Sequence, residues 1–130
     1  MAEVLGIEKS FITSVRELEV FKLAYEASLE IHRCSLEFPK IEQYAMADQL
    51  RRSTKSICVN LAEGFDRQRQ SPAEFKRFIA IAIGSCSESA IWIDYAYDLG
   101  YIPLETKRDW QATYDSVHRM LVKLRNKVKS

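Results

Sequence analysis

Residues 71 to 100 read Ser71-Pro72-Ala73-Glu74-Phe75, then KRFIAIAIGSCSESAIWIDYAYD from Lys76 to Asp98, and close on Leu99-Gly100. Ser71 can cap a helix, Pro72 suits its first position, and Glu74 can complete a capping box. Phe75, Ile79, Ala82, Cys86, Ala90, Ile93 and Tyr97 recur at steps of three or four, which turns one apolar stripe to one side of a helix. Gly100 stands where a helix closes in the left-handed conformation.

The same spacing recurs on both sides of this segment. Ala47, Leu50, Thr54, Ile57, Leu61 and Gly64 form one stripe, followed by a polar connection over Asp66 to Gln70. Further upstream, Val20, Ala24, Ala27, Ile31, Cys34 and Phe38 form another, widened by Leu18, Phe21, Tyr25 and Leu29, and Pro39 ends it because proline disfavours helical geometry in the residue before it. Downstream, Pro103 restarts the chain and Trp110, Tyr114, Val117, Leu121, Leu124 and Val128 keep a strict four-three repeat. No segment sustains a period of two, so the expected class is all-α. Helices of roughly 22 to 28 residues joined by short connections predict an antiparallel, up-down-up-down four-helix bundle. The 130 residues, 47% apolar, suffice for one core and one domain over 1–130. Residues 1–13 lack the pattern and are expected to form a flexible arm.

Composition narrows the function classes. No stretch reaches the roughly 18 apolar residues a membrane span needs, and no secretory leader is visible, so the expected location is the cytoplasm. Cys34, Cys58 and Cys86 are odd in number, far apart and flanked by apolar residues, which suits free buried thiols better than disulfides or zinc ligands. The net charge of +1 conceals a polarised chain: residues 51–77 hold seven basic against three acidic side chains, whereas 78–100 hold Glu88, Asp94 and Asp98 and no cation. The last twelve residues carry five cations and no acid.

Signatures of catalysis are missing: no phosphate-binding glycine loop, no paired-histidine metal motif, no nucleophile elbow. His32 and His118 are read as boundary positions of amphipathic helices. The Glu-x-x-His pairs of dimetal bundles are absent, and Glu30 with Arg33 has their spacing but not their chemistry, so neither enzyme activity, metal nor cofactor is expected. The sharper feature is Leu50-Arg51-Arg52-Ser53-Thr54-Lys55-Ser56-Ile57. With Leu50, Thr54 and Ile57 inward, the 100° step turns Arg51, Arg52 and Lys55 outward as a cationic patch suited to phosphates. Their replacement by alanine is expected to weaken nucleic-acid binding without unfolding the bundle. Arg119, Lys123 and Lys127 share the outer face of the last helix in the same way, where placement near a negative helix end is the structural alternative. Asn60 and Glu63, inside a small apolar stretch, are expected to be partly enclosed and to bond another helix, an arginine or a second subunit.

The run from Leu50-Arg51-Arg52-Ser53 through Ser56-Ile57 to Asn60-Leu61-Ala62-Glu63-Gly64, followed by Glu74-Phe75-Lys76-Arg77-Phe78 and Ala82-Ile83-Gly84-Ser85, resembles the four-helix bundle family of 23S rRNA intervening-sequence proteins. Leu18 to Ala24 and Leu99-Gly100-Tyr101 fit the same pattern, so the resemblance covers roughly residues 16 to 125. Phe21 stands where that family often has tryptophan, and Leu61 where it often has isoleucine. Through the related accessory variability proteins of diversity-generating retroelements, the resemblance implies a homopentamer that associates with a reverse transcriptase and with RNA or DNA. The near-neutral charge departs from that case and argues against strong nonspecific binding. The leading expectation is a non-catalytic oligomeric accessory protein that engages nucleic acid or a nucleic-acid-processing partner. A structural or scaffolding oligomer with no nucleic-acid role is the alternative.

Overall fold

The computed structural model describes residues 12–129. Four helices make up about three quarters of this span: α1 (Glu19–Ser35), α2 (Met46–Arg67), α3 (Pro72–Asp98) and α4 (Leu104–Lys127). Single 3-10 turns at Val15–Glu17 and Lys40–Glu42 precede α1 and α2. No strand occurs among the described residues, so the expected all-α class holds. The arm expected at 1–13 lies, over residues 1–11, outside the described residues. The described remainder is tied down, since the Thr13 and Ser14 amides donate to Glu17 and form a capping box that the sequence reading missed.

Cross-helix contacts show the direction of each helix. On α1 and α2, Ser35 meets Arg51 and His32 meets Lys55, so numbering rises on one as it falls on the other. Between α2 and α3 the order is Ser53 with Ser89, Ser56 with Ser85 and Gly64 with Phe78. Asp94 meets Gln111 while Cys86 meets Tyr114 across α3 and α4, and Trp110 bonds Glu30 across α4 and α1. Sequential neighbours therefore run antiparallel and α4 closes back on α1, as the short connections require.

The stripe of α2 is inward at every expected position, from Ala47 to Gly64. Phe75, Ile79 and Ile93 of α3, Ile31 of α1, and Val117 and Leu121 of α4 complete a core without exposure. On α3 the stripe drifts: Ser89 and Ala96 are buried in place of the expected Ala90 and Tyr97. The reason is the α2 seam, where Ser89 Oγ donates to Ser53 Oγ at 2.9 Å and Ser56 and Ser85 hydroxyls pair at 2.8 Å. Small hydroxyl residues bring these backbones together and satisfy each other, so they occupy inward positions that polarity alone assigns to the surface.

The ends follow local chemistry. Ser71 Oγ accepts the Glu74 amide at 3.1 Å, but the Glu74 carboxylate turns to Arg77, which leaves the expected capping box half made. Gly100 takes φ +82°, as a left-handed helix closure demands. Helix α1 has 17 residues, shorter than expected. It stops at Ser35, and Phe38 reaches the core from the loop, stacked obliquely on Tyr101 at 5.4 Å. All three cysteines are free, with Cys58 and Cys86 buried and Cys34 half-buried. Burial raises the thiol pKa to about 12 for Cys58 and, with Asp115 adding to it, about 11 for Cys86.

Candidate interaction surfaces

The α1–α2 corner reassigns Arg51. Pro39 starts the turn at Lys40–Glu42, and Gln43 then folds back, its Nε2 donating to the carbonyls of Ser35 at 2.9 Å and Phe38 at 3.0 Å. The Arg51 guanidinium fills the angle beneath: it donates to Ser35 Oγ at 2.8 Å, Gln43 Oε1 at 3.2 Å and the Gln43 carbonyl at 2.7 Å. Glu42 pins the far side, accepting from the Tyr101 hydroxyl at 2.7 Å and from the Met46 amide. Arg51 is therefore a strut inside the corner and not part of an outer patch, which corrects the helical-wheel expectation. Gln43 and Ser35 carry no sequence motif, Tyr101 belongs to the Leu99-Gly100-Tyr101 pattern without any sign of its partner, and the role of all three arises only where the loop meets two helices.

Two cations of the expected patch remain on the surface. Arg52 Nε donates to Asp48 at 2.9 Å, an exposed pair one helical turn apart. Lys55 Nζ lies 2.8 Å from His32 Nδ1. Desolvation first, then the charges of Lys55, Arg51 and Arg33, hold the His32 pKa below its ordinary 6.5, so the neutral ring accepts from the ammonium. On acidification the unfolded chain binds this proton first, and the folded state loses stability as pH falls from about 6.5 through the lowered value. His32→Gln is expected to reduce the fall in melting temperature between about pH 7 and pH 5 relative to wild type. Identical pH profiles for the two proteins would show that His32 plays no part in it.

Asn60 and Glu63 do not bond another helix. Asn60 Nδ2 donates within α2, to the Ser56 carbonyl and hydroxyl at 2.9 Å each. Glu63, expected to be partly enclosed, is exposed and accepts from Arg67 one turn on at 3.2 Å. A polar side chain satisfied within its own helix needs no enclosure, which is the physical reason for the difference.

At the other end of the bundle, Arg119, Lys123 and Lys127 lie along the outer side of α4, all three exposed. Arg119 reaches only the Ser116 hydroxyl, at 3.4 Å, and none of the three has an ion pair among the described residues. Lys123 and Lys127 rim a groove of about 500 Å³ between the start of α1 and the end of α4, opposite Glu17 and Glu19 and above Leu18, Met120 and Leu124. Because α2 and α4 run from the same end of the bundle, Arg52 and Lys55 near the start of one lie far from Lys123 and Lys127 near the end of the other. The two expected patches are not one surface. Among the described residues, no group of three or more His, Cys, Asp or Glu side chains is arranged to hold a metal ion, and no helix is long and apolar enough to cross a membrane.

These features define a small antiparallel four-helix bundle whose distinguishing side chains lie on its outer faces and corners. The chain belongs to the 23S rRNA-intervening sequence protein family, whose model matches residues 16–123. The fold is also similar to the crystal structure of a protein of unknown function from the S23 ribosomal protein family of Bacteroides thetaiotaomicron. The TM-score is 0.70 at 22% identity, over 81% of this chain and 96% of that one. Among curated proteins, none matches the chain.

Proposed function

We propose that this protein is a non-catalytic, oligomeric accessory protein that presents the basic end of α4 to nucleic acid. The observation that carries this reading is the row Arg119, Lys123 and Lys127, solvent-facing and without ion pairs among the described residues, while Arg51 is consumed by the fold and Arg52 by Asp48. Cations one turn apart on a rigid helix can follow a phosphate backbone without reading bases. The near-neutral whole makes such binding weak and salt-sensitive. Resemblance to retroelement accessory proteins extends the proposal to a homopentamer and to a reverse transcriptase as the processing partner, with cytoplasmic residence. Light scattering tests the assembly, since a mass of one 15.1 kDa chain, or any even-numbered assembly, argues against the pentamer.

The binding test is a set of anisotropy isotherms with single-stranded RNA and DNA at several salt concentrations. Wild type is compared with the Arg119→Ala, Lys123→Ala, Lys127→Ala triple variant. Removing one cation–phosphate pair should reduce the magnitude of the log–log salt slope by roughly 0.7 to 0.9, so the triple variant should fall short of wild type by about 2 to 3. Circular dichroism should remain unchanged, because three cations on the outer side of a helix contribute little packing. No binding by wild type at low ionic strength would remove the nucleic-acid role and leave the scaffolding oligomer in its place.

A further inference from the structure

The seam between α3 and α4 changes character along its length. Lys76, Ala80, Ile83, Ser87, Ala90 and Asp94 recur at steps of three or four on one side of α3, and Gln111, Asp115, His118, Val122 and Arg125 do so on α4. Their register is fixed at two levels: Asp94 accepts from Gln111 Nε2, and Ser87 and Ala90 share a groove of about 310 Å³ with Asp115 and His118. Because the helices run antiparallel, the next levels bring Ile83 beside Val122 and Ala80 beside Arg125. Lys76 comes one turn further, at the end of the bundle where α3 begins and α4 stops.

Where α4 begins, the seam is complementary in charge, since Asp94 lies 3.8 Å from Lys107. At the opposite end it is not. Lys76 and Arg125 come together there, flanked by the exposed Lys129, and no acidic side chain occurs from 75 to 87 on α3 or after Asp115 on α4. Glu74, the neighbouring acid on α3, is turned to Arg77 and to Arg67 of α2. Lys76 and Arg125 are half-buried, and neither has an ion pair among the described residues.

Half-buried cations without a counter-charge cost the fold free energy through lost hydration and mutual repulsion. The negative end of α4 offsets part of this for Arg125, which lies in its last turn. It does nothing for Lys76, which stands in the second turn of α3, beside the positive end of that helix. Nothing within the chain rewards a cation at that position, and an anion from outside does. Phosphate suits the pair, because its several oxygens can accept from the guanidinium fork and the ammonium at once.

We propose that Lys76 and Arg125, with Lys129 at their edge, form a phosphate-binding notch at this end of the α3–α4 seam. Arg125 leaves α4 about 200° around the helix from Lys123 and from Lys127, so the notch lies on the opposite flank from the row proposed for nucleic acid. The notch goes beyond that reading. Its ligand is a phosphate group, borne either by a nucleic-acid backbone that crosses α4 or by a free oligophosphate.

The test uses the full chain carrying Arg119→Ala, Lys123→Ala and Lys127→Ala, which removes the row as a competing site, with inorganic pyrophosphate as the probe. Pyrophosphate should raise the melting temperature of this chain by at least about 2 °C, and the shift should be lost once Lys76→Ala or Arg125→Ala is added. No shift, or a shift indifferent to both substitutions, overturns the notch. Salt-dependent anisotropy of Lys76→Ala in an otherwise wild-type chain identifies the source of the phosphate. A log–log slope smaller by about 0.7 to 0.9 assigns it to the nucleic-acid backbone, and an unchanged slope with the pyrophosphate shift intact assigns it to a free oligophosphate. If wild type binds no nucleic acid while the pyrophosphate shift holds, the proposed function fails and the notch stands.

Discussion

Gly64→Val is expected to destabilise the folded chain by about 3 kcal/mol or more, while Gly84→Ala has the opposite sign. A Cβ at Gly64 would lie 2.6 Å from Phe78 Cβ, 3.0 Å from Phe75 Cδ1 and 3.3 Å from the Phe75 carbonyl oxygen. Phe78 Cβ and the carbonyl are fixed to the α3 backbone, so no side-chain rotation relieves the clash. Alanine would gain up to about 1 kcal/mol of helix propensity against an overpacking cost of about 1 to 3 kcal/mol, whereas valine adds two methyl groups and loses most of the gain. The seam between α2 and α3, with its paired serines, must then open. Gly84→Ala meets no atom of the chain within 4 Å and should stabilise the monomer by about 0.5 to 1 kcal/mol. Chemical denaturation at a concentration where the chain is monomeric would read both. Equal effects at the two glycines would refute the packing argument.

Arg51→Ala should cost about 2 to 3 kcal/mol, because one guanidinium supplies three hydrogen bonds at the α1–α2 corner and its removal strands the Gln43 carbonyl. Arg51→Lys recovers only part of this, since an ammonium cannot span the same three acceptors with the geometry of a planar fork. Arg52→Ala, breaking an exposed pair with Asp48, should stay within about 0.5 kcal/mol. Thermal melts of the three single variants measure the contrast. A melting temperature for Arg51→Ala as close to wild type as that of Arg52→Ala would mean that the corner does not depend on the strut. Removing Arg51, Arg52 and Lys55 together is therefore expected to weaken the corner through Arg51, at a cost that the structure assigns to its three hydrogen bonds. Weaker nucleic-acid binding in that triple variant would confuse a displaced corner with a missing phosphate partner, which is why the α4 row provides the cleaner test.

The difference between Arg51 and Arg52 also shows where sequence reading reached its limit. Both follow Leu50, and a helical wheel separates them by only 100°. Arg52 obeys the wheel and lies at the surface. Arg51 sits at the boundary, where the direction of a long side chain is decided by whatever stands nearest, and the nearest acceptors come from Ser35 and Gln43 on the other side of a turn. Glu63 departed in the reverse direction, exposed where partial enclosure was expected, although its partner Arg67 is of the expected kind. Asn60 is half-buried as expected, but its bonds go to Ser56 one turn away on the same helix and not to another helix.

Taken by itself, the sequence determined the family, through motifs spread along the chain, and also the helical class, the start at Ser71 and Pro72, the left-handed closure at Gly100 and the inward stripe of α2. The structural features in that set follow from spacing or backbone preference along single helices, and such preferences act before any tertiary contact forms. Tertiary structure alone decided that Ser53, Ser56, Ser85 and Ser89 join two helices, that Gly64 and Gly84 have opposite surroundings, and that Arg51 faces inward. These depend on residues 11 to 36 positions apart in sequence for the pairs that join two helices, and on the empty space beside a helix for Gly84. Periodicity fixes the direction in which a side chain leaves its helix, but only the packed neighbour determines whether it meets a hydroxyl, a phenyl ring or open solvent.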